Sequence, residues 1–198
     1  MTIVYDNDRI KKIIDDLHSI TGLSLAFMDL NGRYVYKRLK ADDDFCDIIL
    51  TTAEGRRRCK CSDDDMMHRC AETLMPVSHT CHAGVLETMV PIIKNGVPAG
   101  YIVIGRIRQS DSAAEIADKL TWLGEKAEAT LSFYSRLSYL KRAQLDSLVD
   151  IISNIIFESA ISIVQYDVAL AAAEYIDRNI PSPLTIKEIC SSLFAGNV

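Results

Sequence analysis

Two apolar runs joined by an Asn-Gly pair constrain this chain more than any other feature. Val85-Leu86-Glu87-Thr88-Met89-Val90-Pro91-Ile92-Ile93 precedes Asn95-Gly96, and Tyr101-Ile102-Val103-Ile104 follows it. Asn-Gly supplies the two consecutive positive φ angles that a two-residue hairpin turn requires, so the segment predicts a β-hairpin. A second hairpin is predicted upstream. There Leu23, Leu25 and Phe27 alternate with smaller residues, Asp29-Leu30-Asn31-Gly32 forms a turn, and Val35 follows between two tyrosines. Four or five antiparallel strands result, enough for a sheet with one face covered by helices, and the fold class is α+β.

The covering helices are legible from their periodicity. From Asn7, the residues Ile10, Ile13, Ile14, Leu17 and Ile20 recur at steps of three and four, and Gly22 is a natural stop. The acidic start of Asp42 to Leu50 suits a short helix through the macrodipole. Ala53 to Leu74 contains no proline but mixes Arg56-Arg57-Arg58 with Asp63-Asp64-Asp65, which predicts a poorly amphipathic helix whose charges form solvated faces. After Ser110 the pattern is helical: Ala113 to Leu123, Ala127 to Leu140, then a long helix from Arg142 to about Tyr166. Its stripe of Leu145, Leu148, Ile152 and Ile155, widened by Val149 and Ile156, needs a partner. That partner is either the sheet of its own domain or a second copy in a homodimer. A further helix over Ala169 to Ile176 is broken at Asn179-Ile180-Pro181-Ser182-Pro183. Another then begins at Leu184, with Thr185 and Glu188 in capping-box relation. The expected organisation is a sensing domain over 1–140, a dimerisation or signalling helix over 141–166, and over 167–198 a second domain cut off near its start.

The 198 residues are 48% hydrophobic and 25% charged, the composition of a globular protein with enough chain for a real core. A net charge of -5 argues against broad contact with a phosphate backbone. No run approaches the roughly 18 apolar residues of a membrane span, and no apolar signal region follows a basic start. The expected location is the cytoplasm. In a reducing compartment the six cysteines are thiols, ligands or redox groups rather than a disulfide framework. Cys46, Cys59, Cys61, Cys70 and Cys81 crowd into one window with His68, His79 and His82 in or beside it, so the chemistry is expected there. Three uses stay open. The thiols can line an organic-ligand pocket, pack in the core, or hold a metal through Cys46, Cys59 and Cys81 with His82 or Cys61 as a fourth ligand. The spacings Cys59-x-Cys61 and Cys61 to Cys70 are not those of a zinc knuckle. No cofactor is required. Catalysis is not expected: there is no phosphate loop, GxSxG elbow or HExxH helix, and on a strand His82 would face away from Cys81.

Two segments resemble known families. Phe45-Cys46, Gly55 followed by Cys59, Cys81-His82-Ala83-Gly84-Val85, Pro91-Ile92 before Asn95-Gly96, and Gly100 through Gly105 resemble the PocR sensory domain, a PAS-like ligand-binding module of regulators. Tyr175-Ile176, Asn179-Ile180 and Leu184-Thr185-Ile186-Lys187-Glu188-Ile189 resemble the opening of an AraC-type helix-turn-helix, without the recognition helix that would enter the major groove. The resemblance implies a PAS-like antiparallel sheet, no enzyme activity, and a small organic ligand such as a diol or glycerol. It implies DNA contact only through the missing C-terminal part and signalling through the long helix. Phe45, Cys46, Cys81, His82, Gly84, Tyr101, Gly105 and Arg106 are the expected ligand-binding residues. Phe45, Tyr101, Phe27 and Tyr36 bound the same central region, and each is more often core than ligand platform. The family commonly has Gln where this chain has Arg106, and a guanidinium there favours an anionic partner such as a carboxylate.

Overall fold

The computed structural model describes residues 2–41, 44–156, 160–164, 168–179 and 184–194. They divide into two units, residues 5–161 and a smaller one formed by 1–4 with 162–198. In chain order the elements are β1 (Thr2–Tyr5), α1 (Asn7–Thr21), β2 (Ser24–Met28), β3 (Tyr34–Arg38), α2 (Phe45–Leu50), α3 (Ala53–Thr73), β4 (Val77–Thr80), β5 (Leu86–Lys94) and β6 (Val97–Arg108). Then follow α4 (Ala117–Leu120), α5 (Lys126–Ser132), β7 (Ser138–Tyr139), α6 (Arg142–Ile151), β8 (Ile161–Val164), α7 (Val168–Asn179) and α8 (Ile186–Phe194).

The larger unit is built on an antiparallel sheet in the order β3-β2-β6-β5-β4, with β7 added in parallel beside β6. The β5–β6 hairpin turns at Asn95 and Gly96 with φ of 53° and 76°, the left-handed pair expected of Asn-Gly. Leu23 to Met28 are all buried, not alternately exposed, because β2 is an interior strand covered on both faces. Pleating sends Leu25 and Phe27 to the face that receives α1, where Tyr36 donates a 2.9 Å hydrogen bond to Asp15. Ser24, Ala26 and Met28 point to the other face, toward α3.

α1 begins at Asp6, which accepts from the Arg9 amide, and ends at Gly22 in the left-handed conformation. Ile10, Ile14 and Leu17 are buried, but Ile20 is 83% exposed, since it lies beyond the part of the helix the sheet covers. Thr52 caps α3 by accepting from the Gly55 amide. A Cβ on Gly55 would lie 2.1 Å from the Ile49 carbonyl oxygen, so only glycine allows α2 and α3 to pack this closely.

The C-terminal half differs from expectation in two places. Helix was expected through Leu140, but α5 ends at Ser132, a 3₁₀ turn follows, and Ser138–Tyr139 pairs with Ile107 and Arg108 of β6. The long helix expected to reach Tyr166 is π-helical over Ile152–Ile156, and Ile161–Val164 is a strand instead. The β-branched run Ile161, Ile163 and Val164 favours extended backbone, which helical periodicity alone does not register. Leu145, Leu148 and Ile152 are buried within the larger unit, as they are when the stripe packs on its own domain.

The smaller unit holds the two-stranded sheet of β1 and β8 together with α7 and α8. Thr185 and Glu188 form the expected reciprocal cap: the Thr185 amide donates to Glu188 Oε2 at 2.8 Å and the Glu188 amide to Thr185 Oγ1 at 3.2 Å. The predicted proline break at residues 180–183 lies outside the described residues. Among the described residues, no helix is long and apolar enough to cross a membrane.

Candidate functional site

A cavity of about 230 Å³ lies between the sheet and the pair α2 and α3. Its floor is the sheet face carrying Ser24 and Ala26 of β2, Lys37 of β3, Glu87 of β5, and Val103, Gly105 and Arg106 of β6. Cys46, Ile49 and Leu50 border it from α2, and Cys59, Ser62 and Asp63 from α3. Cys81, His82 and Ala83 close one edge, and Tyr34 and Leu39 another.

Arg106 owes its place to an irregularity in the sheet. Leu86 pairs with Ile107 and Thr88 with Ile104, so Glu87 alone faces both Gly105 and Arg106 in a β-bulge. Arg106 takes φ = 61°, a left-handed conformation that costs a non-glycine residue roughly 1–2 kcal/mol. In a regular strand Arg106 would point to the α1 face. The bulge turns it to the same face as Gly105, where its side chain is only 10% exposed and its Nη2 donates to Asp47 Oδ1 of α2 at 2.9 Å.

Two of the thiols here, Cys59 and Cys81, are held neutral. Burial, then the Glu87 charge, pushes Cys81 up to about 12, and burial, then Asp63, pushes Cys59 up to about 11. Cys59 Sγ lies 3.3 Å from His82 Nε2. Burial and the neighbouring Arg58 lower the His82 pKa, keeping the ring uncharged, and its buried Nδ1 has no hydrogen-bond partner among the described residues. Trp122 contacts both His82 and Arg58: its ring is tilted against that of His82 with centroids 5.6 Å apart, and the Arg58 guanidinium lies 4.6 Å from it.

An acidic corner completes the site. His79 Nε2 lies 3.4 Å from both Glu87 Oε2 and Ser62 Oγ. Burial, reinforced by the Glu87 charge, raises Asp63 to about 7. The cavity thus presents a guanidinium turned toward α2 and carboxyl groups turned toward α3 and β4, with neutral thiols and an imidazole between apolar walls.

Of the eight expected ligand-binding residues, Cys46, Cys81, His82, Gly105 and Arg106 line the cavity, while Phe45, Gly84 and Tyr101 do not. Phe45 packs with Tyr134, ring centroids 6.0 Å apart, in a core cluster that adjoins the cavity through Ile49 and Ala83. Gly84, at φ = 84°, makes the turn before β5 and lies against Ile116, which a Cβ would meet at 2.5 Å. Tyr101 shares a second cluster with Met28, Met66, Cys70, Val77 and Met89. Phe27 and Tyr36 lie on the α1 face.

Residues 81–84 form a turn, not a strand, with the Gly84 amide donating to the Cys81 carbonyl. Cys81 and His82 therefore border the same cavity, against the opposite-face expectation. The imidazole reaches Cys59 and not Cys81. Cys46, Cys59 and Cys81 share the cavity. Among the described residues, however, no three His, Cys, Asp or Glu side chains group as metal ligands.

Ser62, Asp63 and Glu87 were not singled out from sequence. Asp63 was hidden in a charge run whose Asp64 and Asp65 are indeed exposed. The signal was spacing: Cys59, Ser62, Asp63, Met66 and Cys70 form one helical stripe, overlooked because half of it is polar. A charged Glu87 inside an apolar strand, opposite an isolated glycine, was the corresponding mark of a bulge.

The chain is similar to known proteins. Residues 4–161 match the family described as the sensory domain found in PocR. The Regulatory protein PocR of Salmonella typhimurium strain LT2 is 24% identical over 106 residues, which are 54% of this chain and 35% of that protein. The chain thus matches about a third of the length of that curated relative. A crystal structure of an IclR homolog from Microbacterium hydrocarbonoxydans, complexed with 4-hydroxybenzoate, is similar at 12% identity and a TM-score of 0.32. That similarity covers 66% of this chain and 69% of the other, and is too distant to transfer anything of that protein's ligand. With the sheet, its covering helices and the matched span in agreement, the chain belongs to the PocR sensory domain family.

Proposed function

We propose that the cavity is the sensing site of a transcriptional regulator and that it takes a short hydroxyl-bearing organic molecule, of the diol or glycerol kind the family resemblance implies. The observation that supports this best is convergence: Arg106, His82, Ser62, Asp63 and Glu87 all reach one apolar-walled space of about 230 Å³. That volume lies below the roughly 300–1,000 Å³ typical of drug-sized ligands and suits a compound of a few carbons. Neutral thiols at Cys59 and Cys81 fit pocket lining better than redox sensing, which needs an accessible thiolate.

Ligand binding would bias the arrangement of α2 and α3, since both border the cavity, and that bias is the signal. Helices α7 and α8, with the Thr185–Glu188 cap, support residues 167–198 as the opening of an AraC-type helix-turn-helix whose regulator reads DNA through a further segment. A homodimer is part of this proposal.

Trp122 provides the test, because it is the only tryptophan and its ring contacts His82. Titration with 1,2-propanediol, glycerol and their acid analogues should shift its fluorescence saturably, and native mass spectrometry should find a retained small molecule. No saturable response to any of them up to tens of millimolar overturns the assignment. A melting temperature that collapses with chelator points instead to metal.

A further inference from the structure

The cavity carries a positive charge where a neutral diol needs none. Arg106 is held in a left-handed conformation by the bulge opposite Glu87, and that bulge alone turns its guanidinium to the cavity face. Lys37 of β3 borders the same space. Asp47, which accepts from Arg106 at 2.9 Å, stands on α2 beside Cys46 and is 55% exposed, so water competes for its carboxylate. Such a contact is easily exchanged for a ligand carboxylate that meets the planar guanidinium out of water. Away from α2, Ser62, Asp63 and Glu87 offer hydrogen-bond groups suited to hydroxyls.

Resting on the assignment of this cavity as the sensing site, we infer that its ligand is a short hydroxycarboxylate. Its carboxylate binds Arg106 in exchange for Asp47, and its hydroxyl groups bind at Ser62, Asp63 and Glu87. The exchange also frees α2 from its ion pair with β6, so the charge that selects the ligand is the charge that moves the helix.

Paired probes that differ only in one oxidised carbon test this: D-glycerate against glycerol, and L-lactate against 1,2-propanediol, by calorimetry and Trp122 fluorescence. The acids should bind at least tenfold more tightly than the alcohols. Arg106→Gln should bring each pair to within about twofold. Asp47→Asn, at an exposed position, should tighten the acids several-fold and leave the alcohols unchanged, a gain that no misfolded variant gives. Alcohols binding as well as or better than the acids overturn the inference and leave the sensing cavity standing. A preference for acids that survives Arg106→Gln in a protein with a normal melt also overturns it. No binding of any of the four overturns both assignments.

Discussion

Helix α3 crosses the sheet with two different halves. Toward its C-terminal end Met66 and Cys70 pack with Met28, Val77, Met89 and Tyr101 in a buried cluster. Toward its N-terminal end Cys59, Ser62 and Asp63 occupy the same stripe, and a cavity of about 230 Å³ remains between them and the strands. The same helix and three of the same strands thus form a packed core at one end and an open site at the other. Along α3 the difference is one of side chains, while on the sheet the bulge at Arg106 adds a backbone irregularity at the open end alone. Flexible methionines fill irregular gaps, whereas short polar groups must keep partners and cannot collapse onto a sheet. The proposed sensing site is a core in which packing is withheld at one end.

That contrast can be broken most severely at the closed end. Met66→Ala removes a fully buried side chain and should cost about 2–5 kcal/mol in urea unfolding. A loss below about 1 kcal/mol would mean that the closed end is as loosely packed as the open one. Gly55→Ala should cost about 1–3 kcal/mol, because a Cβ there meets the Ile49 carbonyl at 2.1 Å and pushes α2 and α3 apart. Because both helices border the cavity, the variant should also weaken ligand binding; normal stability with normal binding would show that the close approach is not needed.

One turn from Met66 the sign should reverse. Asp63 has its folded pKa raised to about 7 by burial and by Glu87, so between about pH 4 and 7 the native state keeps a proton that the unfolded chain releases. Stability from this group is complete below about pH 4 and is lost as pH rises through 7. Asp63→Asn should remove that slope, leaving the variant about 1–2 kcal/mol more stable than wild type at pH 8 and near parity at pH 4.5. An unchanged pH profile would show that Asp63 is solvated. Such a gain at a polar site position is the usual trade of stability for function. The smallest effect belongs to Asp64, exposed and paired with Lys60 at 2.9 Å: Asp64→Asn should change stability by less than about 0.5 kcal/mol in the same assay. A larger loss would put the surface pair on a level with the cavity.

Local rules accounted for much of this molecule. The Asn95-Gly96 hairpin, the α1 stripe with its Gly22 stop and the Thr185–Glu188 cap depend on neighbours within a few residues, so periodicity and turn chemistry suffice to read them. Cys46, Cys59, Cys81 and His82, crowded in sequence, all border the candidate cavity. Tertiary structure decided the rest. Whether Phe45 or Tyr101 faces the cavity or a core cluster depends on where neighbouring helices dock. Whether Arg106 enters the site depends on one unpaired register position in β5 and β6, which flips a side chain from one face to the other. The strand at Ile161–Val164 exists only because β1 supplies a partner far away in sequence. Composition and spacing determined which chemistry this protein possesses. Only the packing of distant segments determined which of those groups meet, because an inward-facing position is a property of the neighbours and not of the residue.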